Sequence, residues 1–137
     1  EEMDKRLLHV TSILGIQELL SAYPPEISVG QKQRVAAARA LITNPKIIFA
    51  DEPTGSLDSK SATELLKYLA EINLHDDATI LMVTHDPYTA SFCNRILFIK
   101  DGAIFSEVVR QGSRKEFFNR VIDMQATIGG GGRANDF

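Results

Sequence analysis

The stretch KIIFADEPTGSLDSK, Lys46 to Lys60, decides the fold. Four apolar residues, Ile47 to Ala50, run straight into two adjacent carboxylates, Asp51 and Glu52, and then Pro53. A continuous apolar run of this length suits a strand covered on both faces of a parallel sheet. Downstream, Ser59 to Ile72 is amphipathic, with Ala62, Leu65, Leu66, Leu69 and Ile72 on one side. Ser61 and Glu64 stand at capping-box spacing near its start. The segment TILMV, Thr79 to Val83, is a second buried strand. Strand, helix, strand in that order implies a parallel pair joined by a right-handed crossover. In such sheets a ligand sits beyond the carboxyl ends of the strands. Asp51–Glu52 ends the first strand and Thr84–His85 ends the second, so the acidic couple and the imidazole are expected on one edge.

Outward from this centre the pattern stays legible. Glu2 to Leu20 is helical, with Leu7, Val10, Ile13 and Leu14 at spacings of three and four, and Gly15 ends a first helix before a second short one. The prolines of SAYPPE make a loop. Gln31 to Thr43 is an alanine- and arginine-rich helix with Val35, Ala38 and Ile42 on its inner stripe, closed by Asn44–Pro45. Asp86–Pro87 begins a further helix. RILFIKDGAIFSEVV reads as an antiparallel hairpin about Asp101–Gly102. Ser113 to Met124 is a last helix with Phe117, Phe118, Val121 and Ile122 inward, and residues 129–137 form a glycine-rich flexible tail.

Composition sets the bounds. The 137 residues are 44% hydrophobic and 24% charged, as in ordinary globular proteins, and suffice for a real core. A net charge of −3 exerts no general pull toward nucleic acid or anionic membrane. Cys93 stands alone, so no intrachain disulfide can form and a reducing compartment is expected. The longest apolar run, Ala78 to Val83, is far too short to cross a bilayer. The first residue is Glu1 rather than methionine, which suggests that something upstream has been removed.

The strand ends carry the chemistry. An apolar strand closing in Asp is the Walker B pattern of nucleotide hydrolases, in which the carboxylate holds Mg²⁺ through water. A second carboxylate directly after it can take a proton from attacking water, and an adjacent anion tends to raise its pKa. The alternative is a plain solvated strand end. His85 can donate a hydrogen bond to a phosphate oxygen or hold the attacking water; it can equally be a loop histidine packed on a helix start. Ser28 and Gly30, ahead of the alanine-rich helix, present free N–H groups and a positive dipole end to an anion, or simply an N-cap. His9 and His75 lie on or beside helices and read as surface residues.

Taken together, ISVGQKQRVAAARALITNPKIIFADEPTGSLDSKS and ILMVTHD resemble the second half of the ATP-binding cassette of ABC transporters, over about Glu1 to Gln111. ISVGQ is similar to the signature motif, commonly LSGGQ; IIFADEPTGSLD to Walker B, catalytic Glu and D-loop; VTHD to the switch histidine. DEPTGSLDSKS and YPPEISVGQKQR resemble the branch serving lipoprotein release, macrolide export and antimicrobial-peptide defence, and the glycine-rich tail the bacitracin-resistance group within it.

The resemblance implies an α/β fold: a partial P-loop NTPase with parallel core strands, crossover helices, a carboxy-terminal antiparallel hairpin and a terminal helix. Residues 1–27 would end the helical subdomain and 28–128 would form the carboxy-terminal half of the ATPase core. Asp51 would bind Mg²⁺ through water, Glu52 would be the general base, and His85 would clamp the γ-phosphate of ATP. Ser56, Leu57 and Asp58 would form the D-loop. Ser28, Gly30 and Gln31 would cap ATP held by a second cassette subunit in a head-to-tail dimer, which would drive a transmembrane permease from the cytoplasmic face of a bacterial membrane, with no nucleic acid involved.

Two departures qualify this picture. Val29 replaces the usual first signature glycine, and since valine avoids positive φ, the local backbone must be ordinary there. No G-x-x-x-x-G-K-[ST] occurs, and GGGGR at Gly129 lacks the lysine and the hydroxyl of that motif. In the family that cradle, the adenine-stacking aromatic and the Q-loop glutamine precede the signature. The expectation is therefore a fragment of a longer product, inactive alone. A non-catalytic interaction module and a cassette used in DNA repair or translation are the rival expectations.

Overall fold

The computed structural model describes residues 1–133 and divides into two compact units, Glu1–Val83 and the residues from Thr84 onward. In the first unit, α1 (Glu2–Ile13) closes at Leu14, and Gly15 follows at φ 63, the left-handed conformation that glycine adopts without strain. Two 3₁₀ turns follow, Gln17–Leu19 and Pro24–Glu26. The expected loop at SAYPPE thus holds one tight turn, in which the Glu26 carboxylate accepts from the Tyr23 N–H at 2.9 Å.

Helix α2 (Val29–Leu41) begins two residues before the expected Gln31. Ser28 sets that start through a reciprocal box: Ser28 Oγ accepts from the Gln31 N–H at 3.1 Å, and Gln31 Oε1 accepts from the Ser28 N–H at 2.8 Å. At the other end Arg6 donates to the Leu41 and Ile42 carbonyls at 2.9 and 2.7 Å, placing positive charge on the negative helix terminus.

Strands β1 (Ile47–Asp51) and β2 (Thr79–Val83) pair in parallel from Ile47↔Thr79 to Asp51↔Val83, with α3 (Ser59–His75) crossing between them. The expected parallel sheet is therefore present. Ile48, Ile80 and Met82 join a core with Val10, Leu14, Leu65, Leu69 and Ile72. The expectation of cover on both faces is not met within this unit. Ile47, Phe49, Leu81 and Val83 alternate to the other side and stay exposed, Phe49 at 72%. Helices α1 and α3 contribute to one apolar layer only. Helix α3 is capped by Asp58, not by the Ser61–Glu64 box, because Asp58 is the residue preceding the first turn and accepts the N–H groups of Lys60 and Ser61.

In the second unit Asp86 caps the short α4 (Pro87–Ala90) as expected. Strands β3 (Arg95–Lys100) and β4 (Ala103–Val109) form the antiparallel hairpin, turned by Asp101 and Gly102 at φ 52 and 75. Helix α5 (Arg114–Arg133) packs Phe117 and Val121, both essentially inaccessible, against Ala90, Phe98 and Val108. Ile122, expected inward, is 40% exposed because the inner face follows Phe117, Val121, Met124 and Ile128. The helix also continues past Met124 and through the glycines from Gly129 to Arg133. Ile128 packs on the core and its carbonyl accepts from Lys100 Nζ at 3.4 Å, and this docking carries regular structure into a sequence with poor helix propensity. The rest of the expected tail, 134–137, lies outside the described residues.

A Cβ added at Gly15 would stand 2.5 Å from the Tyr68 hydroxyl. Gly15→Ala is expected to destabilise the chain by about 1–2 kcal/mol in urea titration, from left-handed strain alone. Adding Tyr68→Phe should remove the hydroxyl collision, leaving the ring carbon at 3.2 Å and the strain.

Candidate functional site

The site begins at the ends of β1 and β2. Asp51, exposed, is the last residue of β1 and pairs with Val83, the last of β2. The Glu52 N–H then donates to the Val83 carbonyl at 2.8 Å, extending the ladder by one bond. Beyond it the chain turns, with Gly55 N–H on the Glu52 carbonyl at 3.1 Å and Leu57 N–H on that of Thr54 at 3.1 Å. Glu52 itself sits at φ 45. A glutamate in left-handed backbone is uncommon, and such strain persists where surrounding structure enforces it, often at functional sites. Pro53 disfavours right-handed helical backbone in the residue before it but favours extended backbone, so the left-handed turn is not written in the local sequence.

The expected D-loop residues are held by their own subunit. Ser56 Oγ accepts from Gln33 Nε2 at 3.4 Å, tying this turn to α2. The Asp58 carboxylate caps α3, and hydrogen bonds from Ser61, side chain first and then backbone, hold its pKa below the usual carboxylate value. Leu57 packs on the core.

At the start of α2, the Ser28 and Gln31 side chains are engaged with each other's backbone, so the N–H groups of Val29 and Gly30 are the donors ahead of the first helical bond, Lys32 N–H to Ser28 O at 2.9 Å. Val29 is 55% exposed and is not among the residues at positive φ, in keeping with an ordinary backbone at that position. Gly30 is buried for a reason the sequence hid: a Cβ there would meet Ser61 Oγ at 3.0 Å and Ser61 Cβ at 3.1 Å. The first turns of α2 and α3 therefore approach closely, and glycine is what permits it.

In the second unit, exposed His85 opens the segment before α4, two residues after Val83 in the chain. Its carbonyl accepts from Gln125 Nε2 at 3.3 Å. Next to it, burial pushes the Asp86 carboxyl up. Bonds from the Thr89 hydroxyl and the Thr89 and Tyr88 N–H groups, with the His85 charge, outweigh this and hold it below the ordinary value. His9 and His75 are surface residues, bonded to Asp76 at 2.8 Å and Glu71 at 3.0 Å. Burial pushes the Cys93 thiol up, which disfavours its reactive thiolate.

Among the described residues no group of three or more His, Cys, Asp or Glu side chains converges as a metal cage, and no helix is long and apolar enough to cross a membrane. A Mg²⁺ ion held by one carboxylate, water and substrate phosphates needs no such cage. Asp51, exposed at a strand end, fits that donor set.

Two outcomes are expected. Glu52→Gly should be more stable than Glu52→Ala by about 1 kcal/mol in urea titration, since both lose the side chain and only alanine keeps the left-handed cost. Asp86→Ala should cost about 1 kcal/mol near neutral pH through the lost cap. The folded Asp86 carboxyl lies below its unfolded value, so its stabilisation is present above the ordinary carboxylate range and is lost as pH falls through the lowered value. The gap between wild type and Asp86→Ala should therefore narrow below about pH 4, read from urea titrations at several pH values.

The ABC transporter family matches residues 2–55. The chain is 52% identical over 128 residues to the bacitracin export ATP-binding protein BceA of Halalkalibacterium halodurans, covering 93% of this chain and 51% of the relative. It is 46% identical over 134 residues to the ABC transporter ATP-binding protein YxdL of Bacillus subtilis, covering 98% of this chain and 51% of that one. The dimeric, ADP- and Pi-bound structure of the cassette MJ0796 of Methanocaldococcus jannaschii matches 80% of this chain and 47% of its own, with a TM-score of 0.65 and 41% identity. The cassette MJ1267, in its ADP conformation, matches 93% of this chain and 49% of its own, with a TM-score of 0.77 and 25% identity. The chain spans about half the length of the curated relatives it matches. By sequence and by fold, the chain is homologous to the carboxy-terminal part of the ATP-binding cassettes of the ABC transporter family.

Proposed function

We propose that this chain supplies the carboxy-terminal half of a cassette that binds and hydrolyses Mg-ATP to drive a membrane permease, in export or bacitracin-type peptide resistance. The observation that carries this is the register of β1 on β2. It puts Asp51 opposite Val83 and bonds Glu52 to the Val83 carbonyl, so the acidic couple leaves the same strand edge from which the chain proceeds to His85.

In this reading residues 1–27 end the helical subdomain and 28–128 belong to the ATPase core. Glu52 takes the proton of the water that attacks the γ-phosphate, and its enforced backbone turn aims the carboxylate before substrate arrives. The His85 imidazole donates to a γ-phosphate oxygen and so registers whether that phosphate is present. Asp51 holds Mg²⁺ through water; the ion supplies charge neutralisation across the phosphates when bound. The Val29 and Gly30 N–H groups, at the positive end of α2, meet the phosphates of ATP held by a second cassette. Ser56 and Asp58 lie in the turn that faces this partner, and the head-to-tail pairing is supported by the dimeric form in which the MJ0796 relative was solved. The cassette works at the cytoplasmic face of a bacterial membrane. The names of the BceA relative and of a macrolide export relative of Syntrophobacter fumaroxidans support a transport role.

The second reading is a non-catalytic interaction module. Mg-ATP binding and turnover by the chain alone should be compared with a cassette completed by the upstream half of its BceA relative. The expected outcome is that the chain alone binds ATP weakly and turns over none, while the completed cassette hydrolyses ATP and loses at least about a hundredfold with Glu52→Gln, as general-base removal does. A completed, folded cassette that binds Mg-ATP without hydrolysing it would establish the module instead.

A further inference from the structure

Helix α5 reaches back to the segment that carries the switch histidine. Gln125 Nε2 donates to the His85 carbonyl at 3.3 Å, across a sequence separation of 40 residues. At the far end of the same segment, Arg114 Nη1 donates to Ser91 Oγ at 3.1 Å. Its guanidinium lies over the Phe92 ring at 4.3 Å and the Tyr88 ring at 5.1 Å. Ser91 is fully buried and its own hydroxyl donates to the Tyr88 carbonyl at 2.6 Å. One helix thus grips both ends of the stretch from His85 to Ser91.

The two grips have different work. Phe117 and Val121, packed on Ala90, already dock α5, so stability does not depend on an amide at position 125. Gln125 is part-exposed, where a single neutral hydrogen bond adds little to folding. Together with the Asp86 N–H, which donates to Thr84 Oγ1 at 3.1 Å, that bond holds both polar groups of the peptide between His85 and Asp86. Anchoring that peptide fixes the His85 backbone from which the imidazole projects, and backbone conformation limits the rotamers open to the ring.

We propose that Gln125 is a positioning residue for His85, and that α5 is the arm through which the carboxy-terminal region tunes the γ-phosphate contact. The proposal rests on the reading of His85 given above. It makes the carboxy-terminal helix a point of control: whatever displaces α5 releases the His85 carbonyl and lets the imidazole wander from the phosphate.

The test uses Gln125→Met, which keeps length and loses the donor, and Gln125→Lys, which keeps a donor. Imidazole ¹⁵N spectra of the full chain resolve three histidines, with His9 and His75 as internal references. In Gln125→Met the His85 ring signals should shift or broaden while the other two stay put. In the completed cassette kcat should fall roughly three- to tenfold with the KM for ATP unchanged, the scale of one lost hydrogen bond. Gln125→Lys should restore kcat to within about twofold. Unmoved His85 signals in Gln125→Met overturn the proposal, whatever happens to kcat. His85→Ala is the separate control: if it retains full kcat, the phosphate role of His85 is wrong, while the spectra still decide whether Gln125 positions the ring.

Discussion

Everything in the candidate site hangs on the in-register parallel pairing of β1 and β2. A parallel pair directs both strands toward the same edge, so whatever ends one strand lies beside whatever ends the other. Here the ladder runs to Asp51 on Val83 and is carried one bond further by the Glu52 N–H on the Val83 carbonyl. That last bond lies just before the chain turns through left-handed backbone at Glu52. Slipping the register by one residue would turn Asp51 to the other face and break the bond that precedes the turn. The strained residue and the proposed general base are the same residue, as expected where strain is held for aim rather than for stability.

The residues of the proposed site also hold their own unit together. Ser28 and Gln31 box the start of α2, Asp58 caps α3, and Gly30 lets the two helix starts approach within reach of Ser61. Gln33 adds a bond from α2 to Ser56. The start of α2 and the turn from Thr54 to Asp58 are therefore linked through side chains of the same unit. The lowered pKa of Asp58 follows from the same arrangement, since the Ser61 hydroxyl and the N–H groups of the first turn of α3 stabilise its charge.

The apolar character of the strands exceeds what the unit itself buries. Ile48, Ile80 and Met82 satisfy the core side, while Phe49, Leu81 and Val83 are spelled as though for a second layer and lie exposed. In parallel sheets both faces are normally covered, and the residue types at these positions obey that rule even where the unit does not.

Much of this was legible in the residues alone. The alternation of strand and helix, the Asp86–Pro87 start, the Asp101–Gly102 turn and the order of the three motifs are local, and local patterns are written in neighbouring residues. The sequence by itself therefore determined the elements, their order, and which side chains end the core strands. Tertiary structure alone decided the rest: the backbone sign at Glu52, the single buried face of the sheet, the close approach at Gly30, the extension of α5 into glycine, and the bond from Gln125 to His85. Each of these depends on a partner distant in the chain, and the free energy that selects such a partner comes from packing and hydrogen bonding that no local pattern encodes.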